Sequence, residues 1–257
     1  MKFLKCSYKD KIAQITIASP PANTLSTGVI SELSTAIDEI EKKDDIRVVV
    51  IHGEGRFFSA GADIKEFTTI NTKEDFSALA ENGQKLFERI ENFSKPVIAA
   101  VHGAALGGGL ELAMACHIRL VSEKAKLGLP ELQLGLIPGF AGTQRLPRYV
   151  GTAKALEMMC TSEPISGTEA VQFGLANAAY SEDDLLDKAF ELAEKISKKS
   201  PLGLKAAIEL VNYSKTEQFQ LGVKREAELF GELFVSEDAK EGISAFIEKR
   251  EPKFIGN

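Results

Sequence analysis

Residues 11–18, KIAQITIA, alternate apolar and polar positions, and that period of two predicts a β-strand ended by Pro20 and Pro21. From residue 27 to 43 the period lengthens. Val29, Leu33, Ile37 and Ile40 fall at helical spacing and predict an amphipathic helix. RVVVIHG (47–53) is instead a short continuous apolar run ending at Gly53, the pattern of a strand buried on both faces. PVIAAVHG (96–103) and IRLVSE (118–123) predict two further buried strands. Between them and the first, FSALAENGQKLFERI (76–90) places Phe76, Leu79, Leu86, Phe87 and Ile90 on one side of a helix. Strands alternating with helices put the chain in the α/β class, and periodicity by itself allows a doubly wound sheet.

After about residue 140 the pattern becomes helical, in segments 151–160, 168–174, 184–197, 203–213, 217–234 and 237–249, with strand signals nearly absent. Ser166 and Glu169 have the S-x-x-E spacing of a capping box. There is no low-complexity linker and no strict repeat. The division this suggests is a core domain over 1–197 and a helical region over 198–257. The latter carries Leu204, Ile208, Val211, Leu229, Leu233 and Phe234, more apolar surface than so short a tail buries against itself. Its apolar faces are expected to pack on the main domain or on another subunit.

Composition narrows the function classes. A chain of 257 residues with 44% apolar positions builds a substantial core. With no Trp and four Tyr, an apolar pocket must be lined by aliphatic residues and Phe. The formal charge of -6 argues against nucleic acid and anionic membrane surfaces as partners, while leaving room for a local anion site. Cys6, Cys116 and Cys160 are odd in number and widely spaced, which reads as reduced thiols and a cytoplasmic setting. The first residues, MKFLKCSYKDKIAQ, lack an apolar signal-peptide core, and no apolar run is long enough to span a bilayer. His52, His102 and His117 form no H-x-x-x-H pair, so no metal site is expected.

Two glycine-rich turns follow buried strands: RFFSAGADIKEF (56–67) and HGAALGGGLELAMA (102–115). Each would let a ligand approach the backbone, with free N–H groups at the start of the following helix. Neither matches G-x-G-x-x-G or a phosphate-binding P-loop. Taken alone, Gly107-Gly108-Gly109 fits tight strand–helix packing equally well. Two acids stand among apolar neighbours. Glu111 lies in the first turn of the helix after Gly109, and Glu131 follows Pro130, a good first helical residue, in LGLPELQLG. A single acid there is explained by the helix dipole; two buried carboxylates after two such turns call for partners or a task.

FSAGADIKEF, ALGGGLELAMAC and LGLPELQLGLIPGFAGTQRLPRYVG resemble the three signature stretches of the enoyl-CoA hydratase (crotonase) family, and the likeness runs to AFIEKREPKF near the end. The resemblance implies a spiral of ββα units with a helical carboxyl-terminal trimerisation region, the trimers usually pairing into hexamers. It implies an acyl-CoA substrate and no separate cofactor, coenzyme A being part of the substrate. It places a thioester oxygen between the N–H groups of Ala62 and Gly108, where fixed donors stabilise enolate charge. The Ala60 carbonyl matches a contact to the adenine, Asp63 and Ile64 continue the CoA-binding stretch, and Phe230, Phe246 and Lys249 match positions that pack on CoA or bind its phosphate. Lys249 reads equally well as a solvated residue beside Glu248 and Arg250. The hydratases' two glutamates match Glu111, assigned to activating water, and Glu131, assigned to delivering the proton to C2.

The chain departs from the family pattern at His117, where Asp is frequent, and at Phe140 and Ala141, where small residues are usual. His117 reads as a satisfied histidine at a strand start, and Phe140 as a residue that reshapes the acyl pocket. The activity expected is hydration of a trans-2-enoyl-CoA to a 3-hydroxyacyl-CoA. A double-bond isomerase is the alternative, since it needs a proton shuttle without an activated water. Thioester hydrolases and decarboxylases of the fold fit less well, and a non-catalytic RNA-binding member should carry a basic patch or lack an acid.

Overall fold

The computed structural model describes residues 1–67, 72–215 and 218–257, except for the side chains of Phe67, Lys73, Phe76 and Phe219. The expected contribution of Phe76 and the helical start at Glu217 therefore lie outside the described residues. In chain order the elements are β1 (Leu4–Lys9), β2 (Ile12–Ile17), α1 (Thr27–Glu41), β3 (Val48–Gly53), α2 (Ile64–Phe67), α3 (Lys73–Glu91), β4 (Val97–Val101), β5 (Ala104–Leu106), α4 (Gly108–Ala115), β6 (Ile118–Ser122) and β7 (Lys126–Gly128). A 3-10 turn over Glu131–Leu134 follows, then α5 (Gly142–Val150), α6 (Thr152–Thr161), β8 (Ile165–Ser166), α7 (Gly167–Gln172), β9 (Ala178–Tyr180), α8 (Glu182–Ser197), α9 (Pro201–Tyr213), α10 (Phe219–Phe234) and α11 (Glu237–Glu248).

The strands form two sheets, one ordered β1-β2-β3-β4-β6-β9 and a smaller one ordered β5-β7-β8. Strand order in the large sheet advances in one direction and never reverses, so there is no doubly wound switch point. Successive pairs instead divide between the sheets. β4 joins the large sheet and β5 the small one before α4; β6 and β7 repeat the step before the 3-10 turn. An isolated bridge between Ser59 and Ala105 gives the stretch after β3 the same course. This is the ββα spiral implied by the resemblance.

The apolar runs are explained by burial on both faces. In β3, Val49 and Ile51 enter the main core with α1 and α3, while Val48 and Val50 face Leu185, Ala189 and Ala193 of α8. Ser26 caps α1 by accepting the Val29 N–H, and the Ser166–Glu169 capping box is present at α7. Three expectations are corrected. Strands do occur after residue 140, but β8 and β9 have only two and three residues, too short for alternation to register. Helix α5 escaped prediction because Pro147 sits inside it. Pro130 precedes the 3-10 turn as its cap and is not its first residue. The chain end folds back on the core: Arg47 at the start of β3 donates to the carbonyls of Lys199 and Phe254, and Asp238 accepts from Ile255 N–H and Gly256 N–H. Among the described residues no helix is long and apolar enough to cross a membrane.

His117 is a satisfied histidine. Its Nδ1 accepts the Val97 N–H at 2.9 Å, which leaves Nε2 to donate to the Glu91 carbonyl at 3.2 Å. Burial, then the Lys215 charge, lowers its pKa from 6.5 to about 4. The stabilisation from keeping the ring neutral is present above 6.5 and is lost as pH falls through about 4. His117→Gln keeps one acceptor and one donor but does not titrate. Urea denaturation should show the wild type losing stability relative to this variant between pH 6.5 and 4, on the order of 3 kcal/mol. Parallel pH profiles would contradict the assignment.

Candidate active site

The two glycine turns meet at the carboxyl ends of β3 and β4. The first is held from both sides. Leu25 N–H donates to Gly61 O at 2.8 Å, Ala60 N–H to Ala22 O at 3.0 Å, and Leu106 N–H to Ser59 O at 3.0 Å. Glycine is required where the backbones touch. A Cβ on Gly109 would stand 2.3 Å from Ser59 O, and one on Gly61, at φ +100°, 2.8 Å from Leu106 O and 3.4 Å from Gly108 N. The amides of Ala62 and Gly108 donate to no carbonyl of another segment among the described residues. That of Gly108 opens α4, where the helix dipole adds to its pull on an anion.

Helix α4 places Glu111 one turn deeper, 1% exposed. Its Oε1 accepts the Phe140 N–H at 2.8 Å and the Gly142 N–H at 2.7 Å. The two amides converge because Ala141 between them is left-handed, at φ +70°. Burial, then the charge of Glu131, raises the Glu111 pKa to about 7, with the two amides and Arg145 pulling the other way. Glu131 opens the 3-10 turn. Its Oε1 is 2.8 Å from the position a Cβ on Gly107 would take, and its buried Oε2 has no partner among the described residues. Burial pushes its pKa up too.

Both acids face one cavity of about 510 Å³. Ala60, Ala62, Ile64 and Gly108 line it as well, and Leu79, Leu134, Leu136, Ile137 and Phe140 form its apolar wall. Six of the residues expected from sequence are thus brought together. Asp63 is not among the lining residues; its Oδ1 accepts the Lys65 N–H at the start of α2. Phe230 and Phe246 are exposed to 72% and 86%, and Lys249 is the left-handed cap of α11; none of the three lines the cavity of its own chain.

Sequence reading missed the support behind Glu111. Arg145, buried in α5, donates from Nη1 to Phe140 O and from Nε to Glu91 Oε2 at 3.0 Å. Lys215 Nζ contacts the other Glu91 oxygen at 2.9 Å, and Asn212 donates to the Glu91 carbonyl. This holds the Glu91 carboxylate below its ordinary pKa against the opposing effect of burial. The loop whose amides grip Glu111 is therefore fixed from behind by an ion pair between α3 and α5. The one available signal was an Arg in GTQRLPR, a stretch to which the pattern assigns no element.

The chain is 60% identical over the full length of both sequences to a probable enoyl-CoA hydratase of Bacillus subtilis. It is 42% identical to a short-chain-enoyl-CoA hydratase of Clostridium acetobutylicum, covering 93% of this chain and 92% of that one. The crystal structure of an enoyl-CoA hydratase from Bacillus anthracis superimposes with a TM-score of 0.95 at 35% identity, covering 99% of this chain and 100% of that one. The enoyl-CoA hydratase/isomerase family profile matches residues 7–257, and the chain belongs to that family.

Proposed function

We propose that the protein is an enoyl-CoA hydratase that adds water across the 2,3 double bond of a trans-2-enoyl-CoA, yielding the 3-hydroxyacyl-CoA. The observation that carries this reading is a pair of acids, Glu111 and Glu131, on one cavity beside two amides, those of Ala62 and Gly108, that donate to no main-chain carbonyl of another segment among the described residues. The thioester oxygen sits between Ala62 N–H and Gly108 N–H. Water lies between the carboxyl groups. Its oxygen bonds to C3 as the C2–C3 π electrons move toward C2 and the thioester oxygen, whose negative charge the amides stabilise. Glu111 takes a proton from the water while Glu131 gives one to C2. The pair holds one proton before and after, and the raised pKa of both acids suits that sharing. Coenzyme A arrives with the substrate, and no separate cofactor is invoked. Incubation with crotonyl-CoA tests the reading: the conjugated-thioester absorbance should fall as product forms, and unchanged absorbance with folded protein would overturn it.

The same reading extends to assembly and setting. Phe230, Phe234, Val235, Phe246 and Ile247 are at least 60% exposed on α10, α11 and the link between them, more apolar surface than a free helix pair presents to water. We assign this surface of residues 198–257 to a homotrimer, or a hexamer of two trimers, in the cytoplasm. Phe230, Phe246 and Lys249 would there reach the CoA of a neighbouring subunit. Light scattering should return three or six chain masses, and Phe246→Ser should weaken CoA binding. A monomer with full CoA affinity would contradict it. Deleting 236–257 is a poorer test, because it also strips Arg47 of its Phe254 partner.

A further inference from the structure

We infer that Phe140 restricts this enzyme to short acyl chains by plugging the passage from the cavity of the two acids into a second cavity behind it. The inference rests on the hydratase reading and concerns the part of the substrate beyond C3.

A second cavity of about 230 Å³ lies between α1 and α3. It shares Ala62, Leu79 and Phe140 with the cavity of the acids and continues over Leu25, Ile30 and Ala78. Phe140 thus stands on the boundary between the two. An acyl chain anchored by its thioester at Ala62 and Gly108, with C2 and C3 between the glutamates, meets this ring soon after C3. Leu25, Ile30, Ala78 and Leu79 give the second cavity an aliphatic surface that can receive more methylenes, alongside the polar Thr27, Glu66, Asp75 and Asn82, and the ring bars the way.

The ring is built into place. It is 5% exposed and packs edge-on against Phe87, with centroids 5.3 Å apart and planes at 78°. On another side it presses on α3 at Gly83, where a Cβ would stand 2.4 Å from ring carbons. A glycine in mid-helix destabilises it relative to alanine, so its presence needs a reason. The ring supplies one: α3 has no side chain at the point where Phe140 seats. Toward the site the ring meets Gly108, where a Cβ would lie 3.1 Å from Cε2. Its own main chain is tied at both ends, N–H to Glu111 and O to Arg145. The contacts with Phe87, Gly83 and Gly108 hold the ring itself in place.

The test is kcat/KM for 2-enoyl-CoA substrates of four, six, eight and ten acyl carbons, in the wild type, Phe140→Ala and Phe140→Leu. A methylene accepted or refused by an apolar pocket changes kcat/KM by about tenfold or more. The wild type should therefore fall by at least about tenfold from the four- to the ten-carbon substrate. Phe140→Ala should raise the ten-to-four ratio by about tenfold or more, and Phe140→Leu by less. The ratio cancels losses common to all substrates, and the leucine variant preserves packing if the alanine variant does not fold. A wild type indifferent to chain length, or variants that lower all substrates in parallel, would overturn the plug while leaving the hydratase reading intact. Absence of hydration at every length would instead remove the reading on which it rests.

Discussion

Glu131→Gln and Glu111→Gln should each lower kcat for crotonyl-CoA hydration by about a hundredfold or more, with a much smaller change in KM. Glutamine preserves shape and can still accept from the Phe140 and Gly142 amides, but it neither takes nor gives the proton that the addition requires. The amides of Ala62 and Gly108 are untouched, so substrate binding is largely kept. Because the pair works with one shared proton, the wild-type kcat/KM should be bell-shaped in pH, falling on the acid side as Glu111 is protonated and on the alkaline side as the pair loses its remaining proton. For a carboxyl raised from 4.5 to about 7, the folded state is favoured fully below 4.5 and loses that advantage as pH rises through 7. Glutamine does not titrate, so Glu111→Gln should gain on the wild type over that window, on the order of 3 kcal/mol before relaxation of the site is allowed for. Near-wild-type turnover by either variant would remove the role assigned to that residue.

Gly107→Ala should be the most damaging change outside the acids. Gly107 has φ +52° and ψ -127°, a conformation that side chains resist. An alanine Cβ would also lie 2.8 Å from the Glu131 carboxylate. The backbone strain costs about 1–3 kcal/mol. The clash would displace Glu131, the neighbouring Gly108 amide, or both, and a misplacement of about 1 Å in a catalytic group costs on the order of a hundredfold in rate. Gly151→Ala is the control. Gly151 has φ +76°, but nothing lies within 4 Å of the added atom and it is not among the residues lining the cavity. Thermal melts and crotonyl-CoA kinetics should show both variants destabilised and only Gly107→Ala strongly impaired in kcat. Equal kinetics would mean that the turn does not position the acids.

Much of this arrangement was legible from residues whose burial leaves a long periodic trace. The strands over 48–53 and 97–101 and helices such as α1 and α8 announced themselves, because each commits a whole face or stripe to the core. The order of strands was not legible. Periodicity sees that Val48 and Val49 are both buried, but not that β5 leaves the sheet its predecessor joins. The spiral came from motif resemblance. The acids could be found because charge among apolar neighbours is costly and therefore conspicuous. Their partners could not: the donors to Glu111 are main-chain amides of Phe140 and Gly142, which carry no side-chain signature. The Glu91–Arg145 pair joins residues far apart in sequence, so neither residue marks the other. Phe140 stood out only as a departure from the family pattern, and its seat against Gly83 emerges once α3 is in place.

The most direct test of the central claim is turnover of crotonyl-CoA in heavy-oxygen water, with the label located by mass spectrometry. A hydratase working through Glu111 and Glu131 places one solvent oxygen on C3 of the product, and both glutamine variants should slow its appearance as they slow kcat. Migration of the double bond without solvent oxygen in the product would contradict hydration and make the chain an isomerase.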